Sequence, residues 1–324
     1  MKLPFFFLFV FFFLPSLSFA QEEKAYHCYR FTKEPVLDGI VTGDPAWKDV
    51  APATGFVKLG SDSPAVKQTF FKIGYTPEAL YIGIECEEPE VETIHAKCKD
   101  GDVNICQEDS VEIFLFPPGA DNYYQFMINA IGSRWNGIGV DSSFLIPLGD
   151  WQATTYSGKE FWSVEIKIPF EIFLIIPEKG EEWTGNICRN IITSGDRYSS
   201  WALLGKGFHE PGNFGKIVFK REISSGEGKE TKKRIVHSIK EKILINLTPI
   251  WASEKEFLEA SKRYSSLQKE LADFLEECKG IKNAFSQLDD FSVKESNLLL
   301  KKSQNLSAQF NILKGKVLKG ILFD

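Results

Sequence analysis

Short stretches in which apolar and polar residues alternate dominate the chain between residues 34 and 219. The clearest lies at 162–168, where Trp, Val, Ile and Ile alternate with Ser, Glu and Lys. Strand side chains point alternately to opposite faces, so this pattern indicates a strand with one packed and one solvated face. Similar runs at 68–74, 79–85, 110–116, 123–130, 184–190 and 216–219 are separated by turn-forming residues. The pattern predicts a mostly β domain over 21–220, a two-sheet antiparallel β-sandwich of jelly-roll type.

The hydrophobic period changes after residue 252. Ser253 with Glu256, and Ser292 with Glu295, have the spacing of helix N-terminal capping boxes. Apolar residues then recur every three or four positions, as in a coiled-coil seam. The first run contains Phe257, Ala260, Tyr264, Leu267, Leu271, Phe274, Cys278, Ile281, Phe285 and Leu288. We predict a C-terminal α-helical coiled-coil hairpin over 252–324. Self-association through 253–318 would bury the seam, and a partner helix within the chain would do so equally well.

The segment between these two regions is polar at first. Residues 221–233, REISSGEGKETKK, contain almost no apolar side chains and are typical of a solvated linker. The β-like pattern around 242–245 then suggests an added edge strand. We therefore assign 221–251 to a linker with one candidate extra strand.

The N-terminus has the pattern of an export signal. Lys2 precedes an apolar run at 5–14, and small residues follow, with Ser18 and Ala20 placed for cleavage after Ala20. We predict a signal peptide over 1–20 and a secreted, periplasmic or cell-envelope location. No later segment approaches 18 consecutive apolar residues, so we expect no membrane span after cleavage.

Charge and cysteine content narrow the function classes. The formal net charge of −6 provides no basic surface for nucleic acid, which we exclude as a partner. The six cysteines are widely spaced without a CxxC pair, which argues against a zinc site. In an oxidising compartment they could form disulfides, and the sequence leaves their pairing open.

Six phrases in the β region together resemble the family 9 carbohydrate-binding modules, which are related to DOMON-type sandwiches. The phrases are PVLDGI at 35–40, DPAW at 44–47, TPEALYIGI at 76–84, QEDSVEIFL at 107–115, WSVEIKIPF at 162–170 and FGKIVF at 214–219. The resemblance covers about residues 34–220. It implies a two-sheet antiparallel sandwich that binds one or two sugar units at the end of a polysaccharide or oligosaccharide chain, between two facing indole rings.

The resemblance also implies a set of binding residues. Glu112 and Asn129 match polar partners of the sugar, and Cys106 and Phe208 stand where the family has its two tryptophans. Met127 stands where a characterised sugar-binding member has an arginine. We therefore expect carbohydrate binding at Cys106, Glu112, Met127, Asn129 and Phe208. Trp135, Trp151 and Trp201 are candidate substitutes for the missing stacking platform.

Cofactors are not required by this assignment, but two are implied by relatives. Some family members bind structural calcium, and the loops with Asp100, Asp102 and Asp121 have suitable ligands. Some DOMON-like relatives bind haem for electron transfer. Here Met127, His95 or His209 would have to supply the axial ligands.

Two further function classes remain as alternatives. A cell-envelope adaptor would use the sandwich to bind a partner and the helical hairpin to assemble copies. A glycoside hydrolase would need two carboxylates across a cleft, and nothing in the sequence brings Glu108, Asp109, Glu112 or Glu165 together. We therefore expect a non-catalytic protein, accessory to polysaccharide breakdown.

Overall fold

The computed structural model describes residues 24–140, 146–221, 223 and 226–323, so the predicted signal peptide lies outside the described residues. Its strands are β1 (Ala25–Arg30), β2 (Val57–Lys58), β3 (Thr69–Tyr75), β4 (Ala79–Glu87), β5 (Ser110–Phe116), β6 (Tyr124–Asn129), β7 (Arg134–Ile138), β8 (Gln152–Ser157), β9 (Phe161–Pro169), β10 (Glu182–Asn190), β11 (Tyr198–Ser200) and β12 (Gly215–Phe219). The seven strands predicted from alternation correspond to β3, β4, β5, β6, β9, β10 and β12. The other five were not predicted.

The strands form two sheets joined by β1. Sheet A has the order β7-β6-β5-β10-β12-β1, with β11 beside β10 and β2 beside β11, and sheet B has the order β1-β3-β4-β9-β8. Residues 25–28 of β1 pair with β12 and residues 29–30 pair with β3, both in parallel. The other strand pairs within the described ranges are antiparallel. The predicted two-sheet sandwich is confirmed, with β1 as its parallel exception.

The inward faces of the two sheets build the hydrophobic core. They follow the period of two that the sequence shows, since alternate residues of each strand are buried against the opposite sheet. On β9 these are Trp162, Val164, Ile166 and Ile168, and on β5 they are Val111, Ile113 and Leu115. Full burial of such side chains contributes about 1.5–3 kcal/mol each, which makes this core the main source of the sandwich's stability.

The outer face of sheet B is covered by the chain segment that precedes β2. Glu165 of β9 is fully buried under this segment. Its Oε1 accepts a 2.6 Å hydrogen bond from Trp47 Nε1, and its Oε2 accepts bonds from the backbone amides of Asp38 and Gly39 at 3.0 and 2.9 Å. The expectation that the polar face of β9 meets solvent is therefore wrong at Glu165, because a packed segment replaces the solvent.

This covering segment explains two of the recognisable sequence phrases. Gly39 has φ +86°, and a Cβ there would lie 2.6 Å from the backbone carbon of Thr155 on β8, so the segment's close approach requires glycine. Trp47 packs edge-on against Phe31 with ring centroids 5.0 Å apart. The phrases at 35–40 and 44–47 therefore have a structural role.

Four α-helices complete the described chain. The short α1 (Phe170–Phe173) follows β9, and the long helices are α2 (Lys229–Arg263), α3 (Gln268–Ser286) and α4 (Val293–Phe323). The prediction of C-terminal helices is confirmed, but that of a linker with an extra strand over 221–251 is wrong, because α2 begins at Lys229. An apolar stripe of helical spacing stabilises this part of α2. It contains the buried residues Ile235, Ile239, Ile243, Leu247 and Ile250.

The two predicted capping boxes have different outcomes. Ser253 and Glu256 lie inside α2, so that prediction is wrong. The second box is confirmed, since Ser292 Oγ accepts from the Glu295 amide at 3.2 Å and Glu295 Oε2 accepts from the Ser292 amide at 2.7 Å. The chain also turns at 264–267, between α2 and α3, where the apolar spacing predicted one continuous helix. Three long helices therefore replace the predicted two-helix hairpin.

The long helices pack on one another as a bundle. Asn246 of α2 donates to Ser303 Oγ of α4 at 3.0 Å, and at the far end Phe257, Phe274 and Phe310 meet with ring centroids 5.4 to 6.5 Å apart. Much of the apolar seam is thus buried within one chain. No helix in the described part of the chain has the length and apolar content needed to cross a bilayer.

The bundle docks on the sandwich next to α1. Asn297 Nδ2 donates to the Leu174 carbonyl at 2.6 Å, Lys301 Nζ donates to the Gly119 carbonyl at 2.5 Å, and Arg234 forms an ion pair with Glu171. One hydrophobic core runs from the sandwich into the bundle. The helices therefore belong to the same folded unit as the sandwich.

Candidate ligand-binding site

A row of side chains crosses the outer face of sheet A. Trp135 of β7 lies opposite Met127 of β6, which lies opposite Glu112 of β5, which in turn lies opposite Cys188 of β10. Directly opposed residues share one face of a sheet, and neighbouring strands are about 4.8 Å apart. Met127 on β6 therefore lies between Glu112 and Trp135, one strand spacing from each.

A cavity of about 450 Å³ lies over this row. Its volume falls in the range of about 300–1,000 Å³ typical of small-molecule sites. The lining residues are Leu59, Val103, Cys106, Gln107, Glu112, Gln125, Met127, Trp135, Gly139, Val140, Asn190, Tyr198, Lys206, Gly207, Phe208 and His209. Of the five predicted site residues, four line the cavity: Cys106, Glu112, Met127 and Phe208. None of the described lining residues belongs to the four α-helices.

Asn129 shares the outer face but does not line the cavity. Its Nδ2 donates to Glu108 Oε2 at 2.9 Å, and its Oδ1 accepts from the Ser133 amide at 2.8 Å. Glu108 also accepts from the amides of Lys97 and Cys98. Burial acts to raise the pKa of Glu108, but these hydrogen bonds hold it below its usual range. The structure therefore places Asn129 as a support for the loop that leads to Cys106.

Glu112 is the polar centre of the cavity. Its side chain is 3% exposed and accepts hydrogen bonds from Gln125 Nε2 at 2.7 Å and Asn190 Nδ2 at 2.8 Å. Burial raises the pKa of Glu112, and the two amides oppose this rise. A carboxylate has about four acceptor positions, so Glu112 retains capacity for hydrogen bonds from a ligand.

The aromatic residues of the cavity differ in their accessibility. Phe208 is only 8% exposed and meets the half-buried Tyr198 edge-on at 5.9 Å. Trp135 lines the opposite side and is 6% exposed. The other candidate platforms, Trp151 and Trp201, lie in the hydrophobic core. Trp135, Tyr198 and Phe208 are therefore aromatic walls of the cavity, and the half-buried Tyr198 is the most accessible of the three.

The loop that carries Phe208 is held by a carboxylate. Glu210 accepts hydrogen bonds from the amides of Gly205 and Lys206 at 2.8 and 2.6 Å, and these bonds lower its pKa to about 2. His209 Nδ1 lies 2.6 Å from the Tyr123 hydroxyl. Burial lowers the pKa of His209, so its imidazole is neutral at pH 7. This candidate haem ligand thus already has a hydrogen-bond partner on one ring nitrogen.

The carboxylates considered for hydrolysis do not converge. Asp109 accepts from the amides of His95 and Ile192, and Glu165 lies on sheet B under the covering segment. Glu112 is the only carboxylate among the described lining residues. The described lining thus lacks the carboxylate pair that a glycosidase uses.

The aspartates considered for calcium are also dispersed. Asp100 binds Arg134 at 3.0 Å, Asp102 bonds within its own turn, and Asp121 lies 3.5 Å from Lys301. Across the ranges that the structure describes, no three His, Cys, Asp or Glu side chains are grouped to hold a metal ion. A calcium site at these loops would have to recruit ligands that are now apart.

All six cysteines are free thiols in the structure. Cys106 is the cysteine that lines the cavity, with its Sγ 3.2 Å from the Val103 carbonyl. Burial raises the pKa of this thiol, and the charge of Glu112 adds to the effect. Cys106 is therefore a neutral thiol at pH 7.

Asn190 and Tyr198 are two of the lining residues that the sequence analysis did not identify. Asn190 ends a predicted strand, and alternation from the buried Ile187 would have placed it on the outer face. Tyr198 belongs to β11, a strand of three residues that is too short for a periodic signal.

The family model described as Carbohydrate-binding family 9 matches residues 55–219. This range runs from the residues just before β2 to the end of β12 and includes the loops around the cavity. No curated protein matches the chain.

Several solved structures resemble the sandwich. A proposed carbohydrate-binding protein from Bacteroides uniformis ATCC 8492 has a TM-score of 0.51 at 19% identity, covering 61% of this chain and 100% of that one. A family 9 module from Caldicellulosiruptor kristjanssonii in complex with cellotriose has a TM-score of 0.47 at 19% identity, covering 63% and 96%. Its complex with glucose has a TM-score of 0.46 at 19% identity, covering 61% and 98%. At this identity the first similarity shows the fold alone.

Proposed function

Because this chain belongs to carbohydrate-binding family 9, we propose that it binds the end of a polysaccharide or oligosaccharide in the cavity on sheet A, without catalysis. The observation that carries the proposal is the cavity itself. It combines apolar and aromatic walls with one buried group of hydrogen-bonding side chains, Glu112, Gln125 and Asn190. This combination suits a sugar ring.

The chemistry of binding follows from the two kinds of wall. Sugar hydroxyls donate to the unused acceptor positions of Glu112, which are stronger acceptors than water because the carboxylate is charged and buried. The apolar CH faces of the ring pack on Met127, Trp135 and Tyr198. Binding of a chain end, as opposed to an internal unit, is what the resemblance to the family 9 modules implies.

A glycan array followed by calorimetry on the binding glycan tests this proposal. Tyr198→Ala removes an aromatic wall and is expected to weaken binding at least about tenfold, since aromatic contacts contribute about 1 kcal/mol beyond their buried area. Tyr156→Ala is the matched control, because Tyr156 is 41% exposed on β8 of sheet B. No glycan bound, or equal losses in the two variants, would contradict the proposal.

We also propose that the protein is exported and assists polysaccharide breakdown as an accessory protein. The support is the signal-peptide pattern of residues 1–20, together with the proposed glycan site. N-terminal sequencing of the protein from its native cells should begin at Gln21. Retention of residues 1–20 would contradict cleavage, and unchanged hydrolysis of the bound glycan when this protein is removed would contradict the accessory role.

A further inference from the structure

The charge of Glu112 has no cationic partner among the described residues. Its two hydrogen-bond donors, Gln125 and Asn190, are neutral amides, and no Lys, Arg or His forms an ion pair with it. Met127, directly opposite on β6, presents an uncharged thioether. A buried carboxylate without a counter-charge is unfavourable, because neutral hydrogen bonds only partly replace its hydration.

The titratable groups around Glu112 do not supply this charge. Burial raises the pKa of the Cys106 and Cys188 thiols and lowers the pKa of His209, so all three are neutral at pH 7. Lys206 is an exposed residue of the 204–214 loop and forms no ion pair with Glu112. Among the described lining residues, Glu112 is thus a buried negative charge, and the one lysine, Lys206, is exposed and does not pair with it.

The amide oxygens next to Glu112 add to its capacity as an acceptor. Gln125 and Asn190 both direct their amide nitrogens at the carboxylate, so their oxygens point away from it. Within the described chain neither of these oxygens receives a hydrogen bond, and both side chains line the cavity. Three acceptors, one of them charged, therefore meet a ligand, which matches an ammonium group with its three N–H donors.

Resting on the proposed function of this cavity, we propose that the bound sugar unit carries a protonated amine next to Glu112, so that the ligand class is an amino-sugar glycan. The sugar ring then lies over Met127 toward Trp135, because these residues follow Glu112 in the same cross-strand row. A cation is also favourable beside an aromatic ring. Selectivity over a neutral sugar comes from the stronger bond that an ammonium donates to a carboxylate.

The test compares three β-1,4-linked tetrasaccharides that differ only at carbon 2: the glucosamine, N-acetylglucosamine and glucose oligomers. Calorimetry on the full mature chain at pH 6.5 is expected to give about 10- to 100-fold tighter binding of the glucosamine oligomer than of the glucose oligomer. Glu112→Gln should remove this preference. Glu160→Gln removes the same charge from an exposed position outside the cavity and should retain it.

A second variant perturbs the same charge from the neighbouring strand. Met127→Arg places a guanidinium opposite Glu112 and should abolish the preference for the glucosamine oligomer even if Glu112→Gln does not fold. Cooperative thermal unfolding of each variant verifies that it is folded.

The outcomes separate this inference from the proposed function. If glucose or N-acetylglucosamine oligomers bind as tightly as the glucosamine oligomer, the amino-sugar inference is wrong and glycan binding stands. If the preference survives in both Glu112→Gln and Met127→Arg, it arises from the protein's net negative charge, and the inference is again wrong. If neither these oligomers nor any glycan on the array binds, both proposals fail.

Discussion

Trp47 and Trp135 have opposite expected roles: Trp47 stabilises the fold, and Trp135 contributes to glycan binding. Trp47→Phe keeps an aromatic ring but removes the 2.6 Å hydrogen bond to the buried Glu165 carboxylate. Hydrogen bonds to charged groups contribute about 1.5–3 kcal/mol, so we expect the free energy of unfolding to fall by about 2 kcal/mol. At about 2–4 °C per kcal/mol for larger domains, Tm falls by about 4–8 °C. Glycan affinity should not change, because Trp47 lies in the segment that covers sheet B and does not line the cavity.

Trp135→Phe is the reciprocal change. Trp135 lines the cavity, and its indole nitrogen makes no hydrogen bond within the described residues. A hydrophobic substitution of this kind usually costs less than about 1.5 kcal/mol of stability. Because the sugar ring loses part of the indole surface, glycan affinity should fall several-fold.

Thermal unfolding by circular dichroism and calorimetric glycan titration, both at pH 8, measure the two effects. That pH keeps Glu165 mostly ionised, since burial raises its pKa to about 7. The reasoning is refuted if Trp47→Phe weakens glycan binding at unchanged Tm. It is equally refuted if Trp135→Phe lowers Tm by 4–8 °C and leaves affinity intact.

Two further predictions concern the cavity loop and the bundle. Hydrogen exchange at the Gly205 and Lys206 amides should accelerate in Glu210→Gln. In the wild type the protection of these amides should be complete above pH about 4.5 and lost as the pH falls toward the lowered Glu210 pKa of about 2. Protection that persists at pH 2 would contradict this role of Glu210. Phe310→Ala should cost about 3–5 kcal/mol of stability without changing the mass in solution, whereas a lower mass by light scattering would place the seam between chains.

The sandwich could be predicted from the sequence because alternation is a local signal. Three of the five missed strands lack it: β2 and β11 have two and three residues, and β1 is defined by its pairing with distant strands. The first half of α2 was assigned to a linker because it is polar at its start, and Ile243 and Ile245 favour strands. Packing against α4 overrides that preference, and the helix continues even through Pro249.

The candidate site was predictable only as a face of a sheet. Alternation and the family resemblance together located Glu112 and Met127 on it. They could not show that Asn129 bonds to Glu108, or that Phe208 packs in a cluster with aromatic side chains such as Phe114 of β5 and Tyr198 of β11. Those contacts depend on loops, whose conformation leaves no periodic pattern in the sequence.

The position of β1 has a consequence for the order of folding. This first strand completes both sheets, yet its main partner, β12, is the last strand of the sandwich, with Ala25 opposite Lys216. Almost the entire sandwich sequence must therefore be synthesised before the two sheets can be joined. Pairing over such a separation is intrinsically slow. The export proposed above would gain time from this delay, because the two sheets stay unjoined until β12 is available.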